Sequence, residues 1–124
     1  MEPIASNSLS TTYVLKDGDS FIVADAAGDI EGGSDGFFHN DTRLLSTFRL
    51  SFAGVLPEAL SAAVTQDNVF FIAHLTNRPL PVLGSAATVS GLVHIMRTRF
   101  LCDDRLYERI TCRNYGNGPV GASL

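Results

Sequence analysis

The chain has 124 residues, 45% hydrophobic and 18% charged, a length and balance that suit one globular domain and exclude a disordered chain. Its formal net charge of −4 argues against a nucleic-acid partner, whose phosphates require a positive field. No apolar run approaches the roughly 18 residues that cross a bilayer, and the start lacks a basic, then apolar, leader, so no membrane partner and a cytoplasmic location are expected.

Residues 1–11 are small and polar and are expected to be disordered, with a β domain over residues 12–124. The first element is a hairpin, Tyr13–Lys16 and Asp19–Val23, around Asp17-Gly18. Asp-Gly suits a type I′ turn, which predicts Val14 opposite Phe21 and Tyr13 opposite Ile22. From Asp25 to Gly36 the chain is rich in glycine and carboxylates. It lacks the spacing of a phosphate-binding or calcium loop and reads as an irregular connection.

Leu44 to Ala53 alternates, with Leu44, Phe48, Leu50 and Phe52 on one face, as a half-buried strand should. Glu58 to Thr65 fits either a strand or a short helix. Val69 to Thr76 reads as a strand entered through an Asp67-Asn68 turn, and Asn77 to Gly84, with two prolines, as a loop or edge segment. Leu92–Cys102 and Leu106–Tyr115 form a long hairpin about Asp103-Asp104, which sets Arg99 opposite Glu108 and Phe100 opposite Tyr107. In that register Cys102 opposes Arg105 and Cys112 opposes Ile95, so no disulfide is expected. Gly116 to Pro119 reads as a turn, and Val120, Ala122 and Leu124 begin another strand; the chain is expected to be the front part of something longer. Short strands and frequent turns together predict an all-β, antiparallel β-sandwich.

Catalytic patterns are missing from the sequence. There is no GxSxG elbow, and His39, His74 and His94 are dispersed without zinc-site periodicity. The carboxylates of Asp29, Glu31 and Asp35, and those of Asp103 and Asp104, fall in turns where solvation is expected rather than the burial that tunes a general acid. No catalytic residue, metal or cofactor is therefore expected. Five of the nine cationic residues, Arg97, Arg99, Arg105, Arg109 and Arg113, lie close together. They read as solvated or salt-bridged hairpin positions, or alternatively as a surface for an anionic or polyhydroxyl ligand.

Four segments occur in a telling order: Val14-Leu15-Lys16-Asp17-Gly18-Asp19-Ser20-Phe21, Gly28-Asp29-Ile30, Gly36-Phe37-Phe38-His39-Asn40-Asp41-Thr42-Arg43-Leu44-Leu45-Ser46, and Leu106 through Gly116. Together they resemble the N-terminal domain of bacterial glycogen-debranching-type proteins of the amylo-α-1,6-glucosidase group. The resemblance implies a large, supersandwich-like β domain followed in relatives by an (α/α)₆ barrel that holds the catalytic carboxylates. It implies a non-catalytic accessory domain whose partners are that barrel, in cis or in trans, and an α-glucan oligosaccharide. His39, Asp41, Thr42 and Arg43 are then candidates for a polar rim facing the barrel's sugar cleft, or for a turn cap and sheet brace. A stand-alone carbohydrate-binding or structural β module is the alternative, weakened by the absence of Trp and the presence of only three Tyr.

Overall fold

A computed structural model describes residues 12–52, 54–78, 80–83, 86–88 and 91–116. The segment expected to be disordered (1–11) and the strand expected at 120–124 lie outside the described residues. The strands are β1 (Tyr13–Asp17), β2 (Ser20–Ala24), β3 (Gly36–His39), β4 (Thr42–Leu45), β5 (Glu58–Val64), β6 (Phe71–Thr76), β7 (Leu80–Leu83), β8 (Ala86–Thr88), β9 (Val93–Cys102) and β10 (Arg105–Asn114). They make two four-stranded antiparallel sheets, ordered β1-β2-β3-β4 and β10-β9-β6-β5, and a two-stranded ribbon of β7 and β8. The two larger sheets pack as a β-sandwich, as the alternation predicts.

The period-two pattern decides what lies between them. Leu15, Ile22, Ala24 and Phe37 point inward from the first sheet, and Phe71, Ala73, Leu75, Ile95 and Leu101 from the second. Ile30, Leu50 and Phe52 fill the core from connecting segments. Each large apolar side chain so buried contributes about 1.5–3 kcal/mol.

The β9–β10 hairpin has the expected register, including Arg99 with Glu108 and Phe100 with Tyr107. Asp103 and Asp104 both take positive φ, 51° and 63°, the geometry of a type I′ turn. Cys102 and Cys112 are free thiols. The first hairpin differs from expectation. Its turn residues are Gly18 and Asp19, and Asp17 closes the ladder opposite Ser20, so Val14 faces Val23 and Tyr13 faces Ala24. Gly18 alone takes a left-handed φ, 59°, which suits a type II′ turn with glycine first rather than type I′. The shift preserves which residues share a face, so Leu15 and Ile22 still meet in the core.

Two bulges break the alternation in the larger sheets. Phe37 opposes Leu45 while Phe38 opposes Arg43, so Leu44 is the extra residue and stands 56% exposed instead of joining Leu50 and Phe52. Past Leu45 the expected long strand breaks up, and Phe48 exchanges two backbone hydrogen bonds with Ile30. In β5, which is a strand and not a helix, Leu60 is skipped between Ala59 and Ser61 and is also exposed. The segment 80–83 is a strand of the small ribbon, paired with β8.

Gly28 sits in the loop between β2 and β3 at φ +86°, where a Cβ would meet Arg99 Nη2 and Phe71 Cε2 at 3.2 Å and Arg97 Cζ at 3.3 Å. Gly28→Ala combines left-handed strain with overpacking, and is expected to lower stability by about 2–4 kcal/mol, read as a fall in the urea midpoint.

Candidate functional site

The polar chemistry of the interior starts on β9, where Arg97 and Arg99 occupy inward positions between Ile95 and Leu101. Both are 1% exposed. Leaving water costs a guanidinium several kcal/mol, so each must be compensated. Glu108 on β10 reaches both: Oε2 accepts from Arg97 Nη2 at 3.0 Å, and Oε1 from Arg99 Nε at 2.8 Å. Asp29 in the β2–β3 loop accepts from Arg97 Nη1 at 2.6 Å. Ala27 and Gly28 add their carbonyls to Arg97 and Arg99 at 2.9 and 2.6 Å. Phe48 lies under Arg97 and Phe71 under Arg99, at 5.6 and 5.3 Å from ring centroid to guanidinium carbon. Two cations are thus matched by two anions. Burial pushes the Arg99 pKa below its ordinary value, with Arg97 acting in the same direction and Glu108 and Asp29 opposing.

Asp29 is therefore not a solvated turn carboxylate as the sequence suggests; it is 3% exposed and also accepts from Leu50 N at 3.1 Å. The Arg99–Glu108 pair is likewise an interior pair rather than a surface one. The arginine cluster divides: Arg97 and Arg99 are buried, whereas Arg105, Arg109 and Arg113 are exposed.

At the end of the sandwich nearest the β9–β10 turn, Ser20, His39 and Asp104 meet. Ser20 Oγ lies 2.9 Å from His39 Nδ1 and donates to Asp104 Oδ1 at 3.2 Å, and that carboxylate is 3.4 Å from the same Nδ1. A catalytic triad places serine and carboxylate on opposite ring nitrogens. Here both use Nδ1, Nε2 faces Asn40 at 3.0 Å, and Ser20 is fully buried, so the cluster is a clasp between the two sheets. His39 belongs to β3 rather than to a loop.

The turn that follows has Asn40 and Asp41 at φ 49° and 62°. Arg43 donates to the carbonyls of Gly33, at 2.6 Å, and Asp35, and its guanidinium lies over Phe38 at 5.6 Å. His39 and Arg43 consequently project from opposite faces of the first sheet. Asp41 has no hydrogen bond or ion pair among the described residues; it borders a depression of about 200 Å³ with Lys16, Asp19 and Phe21. Thr42 is exposed beside it.

A larger groove, about 720 Å³, is lined by Asp25, Glu31 and Asp35 together with Leu56, Pro57 and Arg78. Oxygen atoms of Asp25, Asp29 and Glu31 come within 4.8 Å of one another. The set is poorly suited to a cation, because Asp29 is held by Arg97 and Asp25 Oδ1 already accepts from the backbone N–H groups of Ala27 and Asp29, both at 2.9 Å. Among the described residues, the carboxylates that line the groove all come from the β2–β3 loop. Burial raises the Asp25 pKa above 3.8, with the charges of Asp29 and Asp35 adding and the two backbone donors opposing.

The remaining candidates are equally committed. His74 Nδ1 and His94 Nε2 lie 3.1 Å apart in stacked rings, so each imidazole serves the other. The thiols of Cys102 and Cys112 are raised, by the charge of Asp103 and by desolvation respectively, the reverse of what activates a nucleophile. Sequence reasoning passed over Asp25 and Ser20, and it read Arg97, Asp29 and Asp104 as solvated or salt-bridged hairpin and turn residues, not as members of these networks. For Arg97 a signal existed, since it shares a strand face with Ile95 and Leu101; Asp29 offered none, its partner being 68 positions away.

Over residues 15–124 the sequence matches the model of a family described as the N-terminal domain of some glycogen debranching enzymes. No curated protein and no solved structure matches it.

Glu108→Gln keeps the shape of the side chain but leaves two buried guanidinium groups to one carboxylate, and is expected to cost about 3–5 kcal/mol in chemical denaturation. For Asp25 the native state holds its proton above the ordinary value of 3.8, so stability falls as pH rises through that window and the penalty persists above it. Asp25→Asn keeps the Oδ1 acceptor, and thermal melts should show it more stable than the parent near neutral pH, with the advantage vanishing below about pH 4.

Proposed function

The chain belongs to the family of glycogen-debranching-enzyme N-terminal domains, and on that premise we propose that it is a non-catalytic accessory domain that packs on an (α/α)₆ catalytic barrel, in cis or in trans, and shapes one wall of the barrel's sugar cleft. The observation that carries this reading is how the polar side chains are spent. Arg97, Arg99, Asp29 and Glu108 neutralise one another in the interior, and Ser20, His39 and Asp104 clasp the sheets. Chemistry of that kind supports a rigid body, not a turnover site.

The surface proposed to face the barrel is the β3–β4 turn with its edge strand. Asp41 and Thr42 stand exposed at the tip, Leu44 is pushed outward by its bulge, and Arg43 stiffens the base of the turn through Gly33 and Asp35. An exposed leucine between polar side chains, held on a short braced strand, has the make-up of a small interface patch. Asp41 and Thr42 then supply the rim toward the sugar, while His39 acts from behind by fixing the strand. A cytoplasmic setting suits the two free thiols.

Mixing the chain with the (α/α)₆ domain of a debranching enzyme from this family should give a one-to-one complex in sedimentation velocity. Leu44→Glu should weaken that complex at least about tenfold, a loss of about 1.4 kcal/mol, without changing the melting temperature of the free chain. Failure of the unmodified chain to associate would sink the proposal.

A further inference from the structure

On the outer face of the second sheet, three rings form a row across adjacent strands. Phe100 on β9 and Tyr107 on β10 are stacked at 4.9 Å and 12°, and Phe70, just before β6, meets Phe100 edge-on at 5.7 Å. Phe70 is 36% and Tyr107 41% exposed. The row borders a depression of about 600 Å³ that also includes Thr98, Arg109 and Thr111. Those three side chains have no hydrogen bond or ion pair among the described residues.

From this we infer that the row is a binding site for a linear α-glucan segment. A pyranose ring presents axial C–H groups on its faces and hydroxyls around its rim. Aromatic surface meets the first, and uncommitted hydroxyl and guanidinium donors set at the row's edge meet the second. The volume suits a ligand of a few sugar units. β10 is the last strand of its sheet, so the far face of the Tyr107 ring is turned to the open edge while Phe100 backs its other face. An anionic ligand would find one cation, Arg109, lining the depression and no second to pair with it, whereas a neutral polyhydroxyl chain needs none. The choice of an α-glucan rests on the family reading above; the placement of the site rests on the rings alone. Such a site would hold a glycogen branch at a distance from the barrel and raise its local concentration there.

The test is a titration of the 124-residue chain with maltoheptaose, followed by backbone amide NMR shifts, with cellohexaose as the comparison. Saturable maltoheptaose binding is expected, with shifts centred on β9 and β10. Tyr107→Ala should weaken it at least about tenfold and Arg109→Ala several-fold. Arg109→Ala should leave the melting temperature unchanged because its side chain is exposed, and Tyr107→Ala should lower it modestly through the lost Phe100 stacking while keeping a cooperative melt. Glu58→Gln, an exposed change on β5 at the opposite edge of the same sheet, should bind the sugar as the parent does, which ties the effect to the aromatic row. The inference is overturned by an absence of saturable binding, by equal binding of cellohexaose, or by full affinity in both Tyr107→Ala and Phe70→Ala.

Discussion

Glu108 holds two buried arginines at once, and most of the molecule's arrangement follows from that pairing. Arg97 and Arg99 occupy inward positions of β9 that an ordinary sandwich would give to valine or leucine. Once two guanidinium groups are there, charge balance demands a second anion, and the nearest backbone able to supply it is the loop leaving β2. Asp29 must enter the core, so the Asp25–Ile30 segment must wrap tightly over β9, with Gly28 at the closest approach. Asp25 organises that wrap by accepting two backbone donors. The glycine-rich stretch is therefore shaped by an electrostatic requirement of the opposite sheet, not by a ligand. Replacing the whole network with apolar side chains could match its stability, so what the ions contribute is a single permitted juxtaposition of loop and sheet.

This inward commitment divides labour among the surfaces. The interior uses charge to fix geometry, the sheet-end clasp uses hydrogen bonds to join the two sheets, and the outer face of the second sheet keeps Thr98, Arg109 and Thr111 uncommitted beside its aromatic row. Sites proposed for a partner domain and for a sugar lie on different sheets, both backed by the same rigid core. Rigid backing matters because neither site has a deep cavity; a shallow surface binds well only if little ordering is needed on contact.

Much of the fold is legible in the sequence wherever the determining contacts are local. The β9–β10 register follows from Asp103-Asp104 as a two-residue turn together with opposed Arg99 and Glu108. The first hairpin is legible as a hairpin, but its register depends on whether Gly18 is the first or second turn residue, which the flanking strands do not decide. Leu44 and Leu60 show where pattern reasoning stops. Each is an apolar residue in phase with buried neighbours, yet a bulge sends it outward, and a bulge is set by the partner strand. The burial of Asp29 is invisible for the same reason, because a carboxylate between glycines looks solvated until a distant arginine is brought to it. The Phe100–Tyr107 pair is legible from the hairpin register, but its extension to Phe70 and its outward face are not, because phenylalanine reads as core and the pairing of β6 with β9 is not local. Family membership was legible because it depends on ordered motifs, not on geometry.

The ionic network also constrains how such a sequence can drift. Its four side chains come from a loop and two strands, and losing any one strands a charge among apolar neighbours. Lysine cannot replace either arginine, since a single ammonium cannot serve a carboxylate and a loop carbonyl in the same fixed fork. Viable descendants must either keep all four or exchange them nearly together, while Leu44, Leu60 and the outer-face side chains can change one at a time. Such a domain should diversify at its surfaces and turn over its interior charges only in rare, concerted steps.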